Sequence, residues 1–462
     1  MPMYEPPRPT TLAAVISLLR VAARGDGDLL SLMPAKAYRV DAGWLGYSRR
    51  SILIVNAPEL LRDVLTDPLG VFPKNDLMVG ALEPLVGNSI FVSSGEVWRR
   101  QRRMIEPSFS HMRLNKAFGS MSAALDDYEL RLDELAATGG RFSLDLAMSH
   151  LTADIICRTV FSTSLRSQTA VDVFEAFTVF ERTCAQVELR RLIFDPPFAS
   201  IRQHASVLEA CTRIRHHLGD LVDTHLAASP RSWDDIAAEI IAARDIDSGV
   251  GFDRKELLDQ LGVMFLAGHE TTASALTWAF LISSLQPWVI ERIRREVEEI
   301  AGEGPLQLEQ VRRMTFVRNV FRESMRLYPP IPFIPRVAAE AATIGRYKVK
   351  KGAMLMIAPW TIHRHRDYWR HPHAFDPDRF SPEREAELVP GAYLPFGLGP
   401  RTCIGAGFAT LEATLILARL VRRYDLRVHD ADKVRPVARL TIRPERQLMC
   451  SVTRRAVGGG RQ

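Results

Sequence analysis

The stretch D-R-K-E-L-L-D-Q-L-G-V-M-F-L-A-G-H-E-T-T-A-S-A-L-T-W-A-F, running from about Asp253 to about Leu285, limits the fold more than any other part of the chain. At 1.5 Å per residue a helix of this length reaches ~48 Å, nearly the width of a whole domain. Its middle is apolar all round, so it must be buried. Into that middle the chain places Gly268, His269, Glu270, Thr271 and Thr272. Glycine and β-branched residues are poor helix-interior residues, and a buried carboxylate is costly unless paired. Local rules broken at a buried place point to function.

The rest of the chain supplies what such a helix needs around it. Helical periodicity dominates from Gly95 to about residue 330. Short β-branched runs over 36–56 suggest a hairpin, followed by the helix P-E-L-L-R-D-V-L-T-D; further short strands are expected over 333–360 and near the C-terminus. The expectation is one domain over residues 1–462, mainly α with small β-sheets, in which N- and C-terminal segments share a sheet. Hydrophobic residues make up 47% and the net charge is +6, so the balance is that of a globular protein and demands no nucleic acid. Five cysteines, widely spaced and without a CxxC pair, fit a reducing cytoplasm. The apolar run at 12–19 is too short to span a bilayer and reads as a surface amphipathic helix, not a transmembrane anchor.

Four constellations carry chemistry. In L-P-F-G-L-G-P-R-T-C-I-G, glycines bracket Cys403, and an apolar helical run follows. A helix N-terminus favours a thiolate. Such a cysteine serves as a nucleophile with a histidine partner, or as an axial iron ligand shielded by Phe396. Glu323 and Arg326 share a helix face, as a solvated pair or as a buried one recruiting a further arginine. Trp98 and Arg102 share another face, either as part of a basic solvated helix or as donors to a carboxylate-bearing ligand. The histidines of H-R-H-R-D-Y-W-R-H-P-H lack supporting ligands for a zinc site, and H-E-T-T-A lacks the second histidine of a zincin.

Taken together, these residues resemble the cytochrome P450 superfamily. F-G-L-G-P-R-T-C-I-G is similar to its haem signature F-x-x-G-x-R-x-C-x-G, A-G-H-E-T-T to its oxygen-activating motif, E-S-M-R to its E-x-x-R, and W-R-R-Q-R to its W-x-x-x-R. F-D-P-D-R-F is similar to the element that adds a third charged partner. The resemblance implies a triangular-prism fold with haem b between the long helix and the helix after the cysteine loop. It makes Cys403 the axial ligand of the iron. Trp98, Arg102, Arg336 and Arg401 become propionate partners, and Glu323, Arg326 and Arg379 a structural triad. Glu270 and Thr271 become the catalytic acid–alcohol pair, and Ala267, Ile331 and Phe333 lie over the haem near the substrate.

The implied activity is insertion of one oxygen atom from O2 into a hydrophobic substrate: a fatty acid, a terpenoid or a steroid-like molecule. No reductase module follows the loop, so electrons are expected from a separate ferredoxin or flavodoxin with its reductase. Arg99, Arg100 and Arg103, on other faces of the Trp98 helix, would offer an acidic donor a docking face. A peroxide-driven peroxygenase or isomerase and a non-catalytic haem or lipid binder are the alternatives. Segments 75–87, 174–182 and 330–335 are apolar and are expected to line the substrate pocket.

Overall fold

The long apolar run is a helix from Arg254 to Leu285, started by Asp253. Asp253 Oδ1 accepts the Glu256 N–H at 2.7 Å, and Glu256 Oε2 accepts the Asp253 N–H at 3.1 Å, so each end of this short loop satisfies the other. The computed structural model describes residues 30–455 except 31–32, 46–49, 167, 169–170, 181–190, 192–193, 199–200 and 228–232, together with positions 16, 19 and 23. The amphipathic helix expected over 12–19 lies outside the described residues apart from Ile16 and Leu19.

The helices that frame the interior are α1 (Asp76–Val86), α2 (Gly95–Ile105), α3 (His111–Thr138), α4 (Leu144–Phe161), α5 (Arg254–Leu285), α6 (Thr315–Leu327) and α7 (Ala406–Arg423). Helix α5 is buried along most of its length and packs against α4, α6 and α7. Gly268 is what lets α4 approach: a Cβ there would lie 2.5 Å from Ile156 Cδ1. Thr152 on α4 closes the same crossing by donating to the His269 carbonyl at 3.0 Å. A residue unfavourable to an isolated helix is therefore required by the packing of two helices.

The strands are β1 (Ala42–Leu45), β2 (Ile52–Val55), β3 (Arg141–Ser143), β4 (Ile334–Val337), β5 (Ala342–Ile344), β6 (Tyr347–Val349), β7 (Met354–Ile357), β8 (Tyr424–Val428), β9 (Pro436–Ala438), β10 (Ile442–Pro444) and β11 (Met449–Arg454). The expected hairpin is β1–β2, but its sheet runs β1-β2-β7-β4 and holds no C-terminal strand. Strands β2 and β7 pair in parallel, Ile52 opposite Met354 through Val55 opposite Ile357, and all eight residues are buried. Two continuous apolar runs need cover on both faces, so they become the centre of one sheet. The C-terminal strand β11 lies instead between β8 and β3, the latter from the first third of the chain.

The β9–β10 hairpin is pinned to the long helix. Ser274 Oγ and Trp278 Nε1 both donate to the Ile442 carbonyl, at 2.7 and 2.9 Å. That contact delivers Thr441 and Arg443 to the middle of α5.

Candidate active site

Along the otherwise buried middle of α5, Ala267, Gly268 and Thr271 stay accessible. They face a cavity of ≈ 320 Å³ whose wall also includes Cys403, Trp98, Arg102, Arg336, Phe396, Arg401, Glu270, Ile331 and Phe333. Residues scattered over most of the chain thus meet around one space. The cavity wall also draws on Met78, Leu82, Val263 and Met264, giving it a largely apolar lining.

Cys403 sits in the loop before α7, its N–H donating to the Phe396 carbonyl at 2.9 Å. Positive φ at Gly397 (79°) and Gly399 (76°) folds this loop back on itself, a conformation that glycine adopts at low cost. At Gly399 a Cβ would also lie 2.8 Å from the Leu65 carbonyl oxygen. Among the described cysteines Cys403 alone is exposed, through the cavity, while Cys157, Cys211 and Cys450 are buried. Crowding by protein on its other sides pushes the thiol up, and the Gly405 N–H and the Arg102 guanidinium pull it back toward the thiolate.

Arg102 Nη1 donates to the Thr402 carbonyl at 2.8 Å, and Arg401 stacks over Trp98 with its Cζ 4.4 Å from the ring centroid. Arg401 Nη2 reaches the Ser93 carbonyl at 2.8 Å, while its Nη1 is buried without a partner among the described residues. Beside it stand Arg336, 5% exposed, and Lys74, whose ammonium lies 3.9 Å over the Phe91 ring and donates to the Phe91 carbonyl. None of these three cations has a carboxylate partner among the described residues. Burial holds both arginines down to about 10, and Arg336 further lowers Arg401. Burial, then Arg336 and Arg401, hold Lys74 well below the usual lysine range.

A cavity with a cysteine at its floor and three cations at its rim, offset only by the more distant Asp67, calls for a ligand that brings a metal and negative charge. The space above Gly397 and Gly405, where a Cβ would meet nothing within 4 Å, leaves room for a flat one. The residues present therefore fit a haem. Lys74 was missed in the sequence, where F-P-K-N-D offers no motif; its pairing opposite Arg336 in an isolated β-bridge brings it to the rim.

Thr271 Oγ1 donates to the Ala267 carbonyl at 2.8 Å, one turn back. Glu270 is buried and engaged: Thr441 Oγ1 donates to its Oε1 at 2.5 Å, Arg443 Nε to the same oxygen at 2.8 Å, and Arg443 Nη2 to Oε2. The expected acid–alcohol pair thus has its acid held in an ion pair from the β9–β10 hairpin, a partnership invisible in the sequence.

Away from the cavity, Glu323 and Arg326 form a fully buried pair at 2.7 Å, joined by Arg379 Nε at 3.3 Å. Arg326 also donates to the carbonyls of His363, Pro372 and Ala374. Arg379 donates to those of Arg370 and His371. The buried reading of this pair, and not the solvated one, describes the structure. His363 belongs to this core: its Nε2 accepts the Leu394 N–H at 3.0 Å. Among the described residues no cluster of His, Cys, Asp or Glu could hold a metal ion.

Two expectations change. Phe174 and Phe177 pack their rings on His269, at 6.2 and 4.6 Å between centroids, and do not line the cavity. The docking arginines are already paired: Arg99 with Glu96, Arg100 with Glu256, Arg103 with Asp245 and Asp247.

Comparison with known proteins gives the same outline. The family model described as cytochrome P450 matches residues 6–451. Cyclooctatin synthase of Streptomyces melanosporofaciens is 30% identical over 423 residues, 91% of this chain and 90% of that protein. Cyclooctat-9-en-7-ol 5-monooxygenase of the same organism is 31% identical over 424 residues, 89% and 84% of the two chains. Pentalenene oxygenase of Streptomyces avermitilis is 28% identical, covering 87% of each. The crystal structure of the cytochrome P450DA heme domain superposes with a TM-score of 0.79 at 21% identity, covering 90% of this chain and 89% of that one.

Proposed function

The chain belongs to the cytochrome P450 family and is a monooxygenase, and from that premise we propose that it holds haem b on Cys403 and oxidises a cyclic terpenoid. The observation that supports this most is the convergence of Cys403, the cation rim and the Ala267–Thr271 strip on one cavity. Cys403 would ligate the iron, and Arg336, Arg401, Lys74, Arg102 and Trp98 would hold the propionates. Bound haem supplies the oxygen chemistry, with a thiolate ligand favouring O–O cleavage. Thr271, its hydroxyl on the accessible strip of α5, would orient a water or hydroxyl that moves protons in the cavity.

Substrate class follows from the wall. Met78, Leu82, Val263, Met264, Ile331 and Phe333 bring no charge to it, whereas the cations gather at the rim beside the cysteine loop. A fatty-acid carboxylate would find no free cation among those apolar residues; a compact carbocycle needs none. The names of cyclooctat-9-en-7-ol 5-monooxygenase and pentalenene oxygenase point the same way.

We further read residues 1–462 as one catalytic domain working in the cytoplasm with a ferredoxin or flavodoxin and its reductase as donor. Among the described residues no single helix is long and apolar enough to cross a membrane.

Two measurements test the reading. The reduced CO complex is expected to show the red-shifted Soret band of thiolate ligation, lost in Cys403→His; survival of the band would remove Cys403 from the iron. In a spectral titration, cyclic terpene hydrocarbons and their mono-alcohols are expected to shift the haem spectrum more strongly than fatty acids of equal carbon number. The opposite order would overturn the substrate assignment.

A further inference from the structure

A second, smaller cavity of ≈ 60 Å³ lies between α3, α4 and the segment that follows α4, and shares no wall residue with the large one. That volume is several times the ~10–15 Å³ that one water molecule needs. Its polar wall is Asp127, Tyr128 and Arg131 from α3, His150 and Asp154 from α4, and Arg166 from the following segment. Arg131 and Arg166 are exposed, so the cavity opens to solvent beside them. Tyr128 is 7% exposed and His150 half-buried.

Both carboxylates in that wall are already engaged. Asp127 Oδ2 accepts from Arg158 at 2.5 Å, and its Oδ1 meets Arg166 at 2.8 Å. Asp154 Oδ2 accepts from Arg158 Nε at 3.0 Å, and its Oδ1 accepts the Leu165 N–H at 2.6 Å. The donors are not engaged. The Tyr128 hydroxyl, the Arg131 guanidinium and the His150 ring nitrogens have no hydrogen-bond or ion-pair partner among the described residues. The Arg131 charge acts on both Tyr128 and His150, which groups the three together. Burial pushes the Tyr128 phenol up, so it keeps its proton and donates at any working pH. With Asp127 and Asp154 set against Arg158 and Arg166, Arg131 leaves one positive charge over. Three donors without an acceptor and one spare positive charge call for an anion. A metal ion has no place here, since no set of three ligands forms among the described residues.

We propose that this cavity is a binding site for a small oxyanion, a carboxylate or phosphate group held by Tyr128, Arg131 and His150. The guanidinium offers parallel N–H groups to two oxygens of such a group, and the phenol and imidazole each add a donor. A monatomic anion would leave part of that fork unused. His150 sets its ring edge-on to Phe174, 5.7 Å between centroids, and Phe174 packs on His269 of α5. An occupant therefore ties α3 to α4 at a point joined to the long helix by packed rings. Burial, then Arg131, hold His150 below the usual histidine range, and Asp154 opposes them. An anion beside the ring adds to Asp154 and raises it. Binding should then tighten as pH falls below ~6.5, where the ring begins to take up its proton.

Calorimetric titration of the haem-loaded protein, prepared in chloride buffer, tests this with sodium acetate and inorganic phosphate as probes at constant ionic strength. Loading with haem keeps the cation rim of the large cavity from acting as a rival anion site. One saturable site per chain is expected. Arg131→Met should weaken it about ten- to hundredfold and Tyr128→Phe roughly two- to tenfold, the difference between a charged and a neutral donor. Arg131 is exposed and Tyr128→Phe keeps the ring, so both variants should melt with the parent in chloride. Phosphate stabilises any fold by exclusion from its surface, so the second readout is the melting temperature of the parent minus that of Arg131→Met. That difference should grow with anion concentration. Acetate, ionised throughout, should bind the parent more tightly at pH ~6 than at pH ~7.5, and His150→Gln equally at both. Preference for acetate assigns a carboxylate ligand and preference for phosphate a phosphate group; either supports the site. No saturable binding of either probe, or parent-like affinity in both Arg131→Met and Tyr128→Phe, would overturn it and leave the cavity to water.

Discussion

Two regions of this protein bury arginines, and they handle the charge in opposite ways. Around Glu323, one carboxylate meets Arg326 and Arg379, and the remaining guanidinium N–H groups end on backbone carbonyls. Around the cysteine loop, Arg336, Arg401 and Lys74 crowd together with no carboxylate in ion-pair contact among the described residues; Asp67 acts on the two arginines only from further off, and Arg401 Nη1 is left unpartnered there. The first region has closed its electrostatics within the chain and can only be structural. The second has left them largely open, and that openness supports reading it as a binding site. Buried charge by itself does not distinguish a scaffold from a site; the presence or absence of an internal counter-charge does.

The largest expected effect breaks the closed region. Glu323→Ala strands Arg326 and Arg379 and should cost about 3–5 kcal/mol, leaving little folded holoprotein. Normal yield and an unchanged melting temperature would show that the cluster is not structural.

His363 joins the two regions, and acid should separate them. Its carbonyl accepts from Arg326, and its Nε2 accepts the N–H of Leu394 at the start of the cysteine loop. Burial, then Arg326 and Arg364, push the ring down to about 3. The unfolded chain therefore takes up this proton first, and stability is lost as pH falls from ~6.5 toward about 3, by up to roughly 1.4 kcal/mol per unit. Denaturant midpoints measured across that range should fall less steeply for His363→Gln than for the parent. Parallel slopes would show that His363 takes no part in acid sensitivity.

The open region should respond with the opposite sign to loss of a charge. Arg401→Met or Lys74→Met relieves repulsion in the apoprotein, which should melt no lower than the parent. The same changes remove charge-assisted contacts worth about 1.5–3 kcal/mol each from a bound dianion, so haem transfer to a competing apoprotein should accelerate. For Lys74, whose pKa is lowered, apoprotein stability should rise with pH between that lowered value and ~10.4. Lys74→Met should abolish the rise. An apoprotein destabilised by these substitutions would mean that the cations have an internal partner after all.

The smallest effect concerns a third kind of charge. Arg99 is exposed and paired with an exposed Glu96, so it remains free to exchange partners, whereas Arg100 and Arg103 also fasten α2 to residues 245–256. Arg99→Glu should slow reduction by an acidic ferredoxin by less than about tenfold, and only at low ionic strength, with melting temperature unchanged. Stopped-flow reduction at two salt concentrations checks this; equal rates would place the docking face elsewhere.

Much of the site was legible in the chain because it is written locally. The glycines of the Cys403 loop, the interruption of the apolar pattern of α5 at Gly268–Thr272, and the spacing of Glu323 from Arg326 and of Trp98 from Arg102 are each short-range patterns whose chemistry depends on neighbours within a turn or two. The length of α5 and the burial of most of it were likewise readable, because a helix apolar on all sides through its middle admits no other position. What the sequence could not contain was the pairing between distant segments. Strand β2 chose β7 over a C-terminal partner, and Arg443 from a late hairpin closed on Glu270. Lys74 came to the cavity rim opposite Arg336, and Glu412 was sealed in beneath Thr272. A carboxylate, an amine or a strand edge is the same group wherever it lies in the chain. Whether it is held, left open or kept neutral depends on which counter-charge and how much water reach it, and close packing in three dimensions decides both.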